Sequence, residues 1–146
     1  MCRGGMRIHT NTRLGKDIAL DELTDNYEAV CLAVGATKAV NMPYPGSDLE
    51  GCVLGVDFLK DHMTDKTFTI GKKVAVIGGG NTAIDCARTA IREGAETTII
   101  YRRTRNEMPA ELHEIEAAEL EGVKFKFLTN PKCNLADSQG VLSILS

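Results

Sequence analysis

At 146 residues the chain has the size of one ordinary domain, enough to bury a core but small for a complete two-domain enzyme. Lysines and arginines number 17 against 20 acidic residues, a formal charge of −3 with a pI near 5.6, which speaks against nucleic acid or an anionic membrane as the main partner. No apolar run approaches the roughly twenty residues that span a bilayer, and Met1-Cys-Arg-Gly-Gly-Met-Arg7 lacks the apolar stretch of a secretory signal, so cytoplasmic residence is the expectation.

In chain order, Arg7 to Leu14 alternates around Ile8, Thr10 and Thr12 as a strand would, and Asp21-Glu-Leu23 resembles the start of a short helix. Tyr27-Glu-Ala-Val-Cys-Leu-Ala-Val-Gly-Ala36 is a compact apolar run closed by glycine, the pattern of a buried parallel strand whose C-terminal end meets a ligand crevice. Asn41-Met-Pro-Tyr-Pro-Gly-Ser47 cannot continue a regular element, because its prolines fix φ and remove donors; it reads as a linker or crossover. Val56, Leu59 and Met63 recur at helical spacing and predict a short amphipathic helix.

Lys73-Val-Ala-Val-Ile-Gly-Gly-Gly-Asn-Thr-Ala83 is the most informative stretch. Val74 to Ile77 has the β-branched, nearly all-apolar character of a strand buried on both faces. Gly78, Gly80 and Ala83 then fit a GxGxxA fingerprint. Gly78 permits the tight turn, Gly80 lets backbone N–H groups approach a pyrophosphate, and Ala83 keeps the following helix close to the strand. The helix itself is marked by Ala83, Ile84, Ala87, Ala90 and Ile91 near a 3.6 period and is stopped by Gly94. Its positive end faces the phosphates. Strand, glycine turn, helix and second strand thus stand in the order the fingerprint requires.

The second strand, Thr98-Ile-Ile-Tyr101, ends in Arg102 and Arg103, with Arg105 two residues on. An acidic residue at that place hydrogen-bonds the ribose 2′-OH of NAD, whereas arginine accommodates the extra phosphate of NADP. A guanidinium forks onto two phosphate oxygens, and clustered cations favour a doubly charged group. The competing explanation is a solvated surface loop, where most arginines belong. Beyond it, Pro109 suits the first turn of a second helix, with Glu111 near its positive end, Leu112, Ile115 and Ala118 following, and Gly122 as its stop. Val123 to Leu128 alternates as a third strand, and Lys132 to Leu145 reads as a hairpin with its turn at Asp137-Ser-Gln-Gly140.

Four segments, Tyr27 to Ala36, Pro45-Gly-Ser-Asp-Leu-Glu-Gly51, Gly71 to Ala87 and Tyr101-Arg-Arg-Thr-Arg-Asn-Glu-Met-Pro109, resemble the glutamate synthase small-subunit family. That family is related to the electron-input part of dihydropyrimidine dehydrogenase and to NADPH-ferredoxin oxidoreductase subunits, and the similarity runs from about Arg7 to the C-terminus. The resemblance implies a flavoprotein in which NADPH gives hydride to FAD and electrons leave through iron–sulfur centres to a partner subunit, for glutamate synthesis from glutamine and 2-oxoglutarate. It implies an α/β fold: a Rossmann-like NAD(P)-binding βαβαβ unit with a C-terminal hairpin over residues 49–146, preceded over 1–48 by a partial FAD-domain segment and crossover. Carried over by position, Gly79, Gly80, Asn81 and Thr82, beside Gly78, would contact the pyrophosphate, and Arg102 and Arg103 the 2′-phosphate; Arg105 matches more loosely.

The family's cysteine-rich cluster region and its FAD fingerprint have no counterpart here, and its closing strands would lie beyond Ser146. The expectation is an interior fragment or truncated relative whose FAD and iron–sulfur segments belong to other polypeptide. Two alternatives stand beside it: a non-catalytic nucleotide-binding fragment that oligomerises through its unfinished sheet edge, and the input module of another NADPH-ferredoxin-type oxidoreductase.

Other candidates have plainer readings. Five scattered cysteines, Cys2, Cys31, Cys52, Cys86 and Cys133, form no CxxC pair; they suit a reduced compartment, and Cys31 and Cys86 read as core filler. Hydride transfer is the cofactors' own chemistry and needs no acid or base, so no catalytic side chain is nominated. His9, His62 and His113 read as surface or partly buried residues, and Glu111, Glu114, Glu116, Glu119 and Glu121 as a solvated helix face and not a metal site. Asp85 is structural as easily as functional.

Overall fold

A computed structural model describes residues 5–35, 38–39, 42–64, 69–137 and 142–145; at Leu142 and Leu145 it describes the backbone alone. The chain divides into two compact units, Met1–Gly35 and Ala36–Ser146. Cys2, Ala36, Asn41 and the hairpin turn expected at 138–140 lie outside the described residues.

In the first unit the expected short helix is present as α1 (Leu20–Asn26), with Asp21 and Glu22 in its first turn. The two strands expected there are not. Residues 7–14 carry only an isolated bridge between Leu14 and Ile18. Residues 27–35 form no regular element, and Leu32 and Val34 are 58% and 70% exposed. The apolar pattern of a parallel strand is realised only when neighbours take its backbone bonds, and no strand flanks this run among the described residues. Cys31 is consequently exposed and not core filler.

The second unit opens with turns over 45–51 and α2 (Gly55–Thr64). The helix forms as the spacing predicts, but its buried residue is Phe58, whereas Met63 is 84% exposed. β1 (Lys73–Ile77), α3 (Asn81–Arg92), β2 (Glu96–Ile100), a single 3₁₀ turn (Arg105–Glu107), α4 (Leu112–Leu120) and β3 (Lys124–Lys126) follow. β1 and β3 flank β2 in one parallel sheet, with Ile77 opposite Ile100 and Ile100 opposite Lys126. β1 is an edge strand among the described residues, which corrects the expectation of burial on both faces: Ala75 is exposed and Val74, Val76 and Ile77 are half-buried. β4 (Cys133–Ala136) and β5 (Leu142–Leu145) pair antiparallel as the expected hairpin.

α3 and α4 end as their glycines predict. Gly94 and Gly122 adopt φ of +89° and +97°, and in each case the next residue's N–H reaches back, Ala95 to the Ala90 carbonyl and Val123 to that of Ala118. The small side chains of Ala87 and Ala90, fully buried, let α3 lie close to the sheet. Ile84, Ala87 and Ile99 join Met108, Ile115 and Ala118 in one core cluster, so the sheet, α3 and α4 share a single interior. A second cluster joins Phe58 of α2 to Cys86 and Ala90.

Across the outside of that core α3 and α4 are clamped by ions. Arg88 donates to Glu121 and to Glu114, and Arg92 donates to both oxygens of Glu121. The bonds from Arg88 and then Arg92 hold the Glu121 carboxyl down at about 2, against an ordinary 4.5. A carboxylate lowered in the folded state stabilises the fold above its ordinary value and loses that contribution as pH falls from 4.5 toward 2. Glu121→Gln is therefore expected to cost about 1 kcal/mol of unfolding free energy at pH 7, a figure reduced for solvent screening. Urea titrations across that pH window should show the penalty shrinking; a constant penalty would mean the carboxylate's charge is not what joins the helices.

Candidate functional site

The parallel register brings the C-terminal ends of β1 and β2 to one edge, where the Gly78 N–H donates to the Ile100 carbonyl at 3.1 Å. Gly78 turns the chain with a φ of +143°, a conformation closed to side chains. Gly80 is the N-cap of α3, extended at φ −90° and ψ 174°, and Ala83 follows as a buried residue of its first turn. Gly79 has a role the fingerprint did not assign. A Cβ there would lie 2.6 to 2.9 Å from the ring of Tyr101, which therefore seats on the bare backbone of the turn.

The arginines continue from that ring. Tyr101 is the first residue after β2; its N–H donates to the Lys126 carbonyl, its own carbonyl accepts from Thr129, and its hydroxyl donates to the Glu107 carbonyl at 2.8 Å. Arg102 and Arg103 are exposed, and neither guanidinium makes a hydrogen bond or ion pair among the described residues. Arg105 differs: it donates two hydrogen bonds to Glu119 of α4, at 3.2 and 2.9 Å. That bond, with the charge of Glu116 adding, holds its guanidinium above the ordinary arginine value. Thr104 and Glu107 close a capping box, the Glu107 carboxylate accepting from the Thr104 N–H and hydroxyl.

Residues 108–111 form a strap that sequence reasoning missed. The Ala110 N–H donates to the Gly79 carbonyl, and the Glu111 N–H donates to Oδ1 of Asn81. These bonds hold Glu111 extended, at φ −62° and ψ 136°, so α4 starts at Leu112 and Pro109 lies before the helix, not in its first turn. Met108 and Ala110 are buried on either side of an exposed Pro109, and the signal available in the sequence was that proline, which holds the residue before it extended, as Met108 is at φ −67° and ψ 129°.

The turn suits an anion such as a diphosphate. The N–H groups of Asn81 and Thr82 donate to nothing among the described residues, as expected of a helix start, and no acidic side chain stands in the first turn of α3. A Cβ on Gly80 would meet nothing nearer than Pro109 Cγ at 3.9 Å, which leaves the backbone open to close approach.

The other candidates stand elsewhere. Asp85 faces an open cleft of about 300 Å³ lined also by Leu59, His62 and Arg88. His62 meets Glu93 at 2.9 Å, and Glu114, Glu119 and Glu121 are engaged by Arg88, Arg105 and Arg92. Cys86 is buried as expected, its thiol donating to the Gly55 carbonyl, and burial followed by the nearby Asp85 charge pushes it up to about 11. Because a neutral thiol is a poor nucleophile, iodoacetamide at pH 8 is expected to label exposed Cys31 and to spare Cys86 while the chain is folded. Peptide mass spectrometry checks this, and rapid labelling of Cys86 would overturn its placement in the core. Among the described residues no helix is long and apolar enough to cross a membrane.

A parallel sheet with a glycine turn feeding the N-terminus of a helix packed on it places the chain in the α/β class. Residues 5–144 match the pyridine nucleotide-disulphide oxidoreductase family, and the chain belongs to that family. It is 47% identical over 140 residues to the NADPH-Fe(3+) oxidoreductase subunit beta of Geobacter sulfurreducens, covering 91% of this chain and 20% of that protein. It is 45% identical to the NADP(+)-dependent formate dehydrogenase subunit beta of Moorella thermoacetica, with 94% and 20% covered. To the glutamate synthase [NADPH] small chain of Escherichia coli it is 38% identical, with 87% and 29% covered. The resemblance to the glutamate synthase small subunit thus holds, and the chain spans only a fifth to three-tenths of these relatives' lengths. The flavoprotein disulfide reductase RclA of Escherichia coli shares the fold, with a TM-score of 0.52 at 14% identity over 75% of this chain and 25% of RclA.

Proposed function

We propose that this chain is the NADPH-binding segment of a multi-subunit flavoprotein oxidoreductase, in which Arg102 and Arg103 hold the 2′-phosphate and the Gly78–Thr82 turn holds the pyrophosphate. The observation that carries this reading is the pair of exposed, uncommitted guanidinium groups that follow directly on a tyrosine seated against the glycine turn. Gly80 gives the backbone access, the Asn81 and Thr82 N–H groups are the donors, and the 108–111 strap holds the turn in shape. Bound nicotinamide would supply the hydride; the chain's residues bind and orient it.

The remainder of the reading concerns what lies outside this unit. Residues 1–48 would belong to an FAD domain and its crossover, and 49–146 to the nucleotide unit. FAD and iron–sulfur centres would be held by further polypeptide, as the beta and small subunits named above suggest. The higher identity to the Fe(3+) oxidoreductase and formate dehydrogenase subunits favours a general NADPH input module over one dedicated to glutamate synthesis. Titrating the chain with NADPH and with NADH tests the central point. Selective NADPH binding is expected, and equal or absent binding of the two would overturn it.

A further inference from the structure

The loop between β2 and α4 carries three arginines of similar chemistry in unlike settings. Arg102 and Arg103 are uncommitted, whereas Arg105 is half-buried and forks onto Glu119. The loop's other polar restraints tie it to itself, to the chain around β3, or to the glycine turn and α3: the Thr104–Glu107 box, the Tyr101 hydroxyl on Glu107, the Leu128 N–H on the Arg103 carbonyl, and the Ala110 and Glu111 N–H groups on Gly79 and Asn81. Among the described residues the Arg105–Glu119 pair is the polar tie between this loop and α4.

We infer that Arg105 and Glu119 form a strut that docks the loop on α4 and so presents Arg102 and Arg103 together, and that Arg105 is a positioning residue and not a third phosphate ligand. This rests on the reading of Arg102 and Arg103 given above. To touch a phosphate, Arg105 would have to abandon two charge-assisted hydrogen bonds, and the Glu119 carboxylate would stand near the incoming anion. As a strut, the pair acts by restricting where the neighbouring cations can go, which lowers the ordering cost of binding.

The two roles predict opposite signs for one substitution. Glu119→Gln removes a negative charge near the site and releases Arg105. If Arg105 were a ligand held in reserve, NADPH binding would tighten. If the pair is a strut, NADPH binding weakens by about fivefold, the upper range for an exposed pair of good geometry, and NADH binding is unchanged. Arg105→Gln is expected to match Glu119→Gln, and the double variant to be no worse than either alone, because both remove the same tie. The exchange Arg105→Glu with Glu119→Arg should recover much of the NADPH preference.

Isothermal titration of the 146-residue chain and these variants with NADPH and NADH reads all of this, and unchanged NADH affinity serves as the control for folding. Tighter NADPH binding by Glu119→Gln, a larger loss in Arg105→Gln than in Glu119→Gln, or a charge exchange that restores nothing overturns the strut. If wild-type protein prefers NADPH and depends on Arg102 and Arg103 while the Glu119 and Arg105 variants behave as wild type, the strut alone fails. If wild type does not prefer NADPH, the underlying reading fails with it.

Discussion

Replacing Arg102 and Arg103 together by alanine is expected to cost NADPH about a hundredfold in affinity while leaving NADH binding where it was. The size follows from the chemistry of a guanidinium on a phosphate. A hydrogen bond to a charged group contributes about 1.5 to 3 kcal/mol, and two cations partly screened by water together amount to about 3 kcal/mol, or roughly two powers of ten. The selectivity follows from the position of the pair, since only the 2′-phosphate distinguishes the two nucleotides. Neither guanidinium has a hydrogen bond or ion pair to lose among the described residues, and Arg103 contributes only its charge near the exposed Glu107 carboxylate, so the fold should change in stability by less than about 0.5 kcal/mol. Calorimetric titrations of both nucleotides, with a thermal melt of the free variant, make the comparison. An equal loss for NADPH and NADH would mean the arginines serve a part of the nucleotide common to both.

Gly79→Ala is expected to destabilise the chain by about 2 kcal/mol and to weaken both nucleotides, NADPH the more because the loop that carries the arginines moves too. The added methyl would lie within 2.9 Å of three Tyr101 ring atoms, closer than carbon atoms approach. Retreat of the ring is opposed at three points: its hydroxyl is bonded to Glu107, its N–H to Lys126 and its carbonyl to Thr129. Overpacking of this kind costs about 1 to 3 kcal/mol, and here it pushes apart the glycine turn and the loop that carries the arginines. Denaturant unfolding measures the stability, and the same titrations measure binding. Tyr101→Leu in the Gly79→Ala background should recover part of the stability by making room. If Gly79→Ala unfolds like wild type, the ring does not seat on the turn.

Much of the second unit was legible from local pattern. Val74 to Ile77, Gly78 and the alanine stripe of α3 each prescribe their own conformation, and Gly94 and Gly122 stop their helices by bonds that reach back no more than five residues. The place of Arg102 and Arg103 was legible too, because a parallel strand of known length after a known helix ends at a known edge. What failed was the run from Tyr27 to Gly35, equally apolar and equally well closed by glycine. Its strand character depended on neighbours distant in sequence, and no such neighbour flanks it among the described residues. Cys31 failed with it, since its burial was inferred from that strand.

The glycine turn, the helix it feeds and the pair of cations at the end of the next strand follow from short stretches of chain, because φ preference, helical period and strand length are properties of a few consecutive residues. What surrounds them was set by packing between distant segments. That packing laid Tyr101 on Gly79, drew Ala110 and Glu111 back to the turn, and gave Arg105 to Glu119 while leaving Arg102 and Arg103 without a hydrogen bond or ion pair among the described residues. Three arginines within four positions are equivalent as sequence. Which of them meets a carboxylate depends on where α4 packs, and that is set by the shared interior of Ile84, Ile99, Met108 and Ile115, residues drawn from four separate parts of the chain.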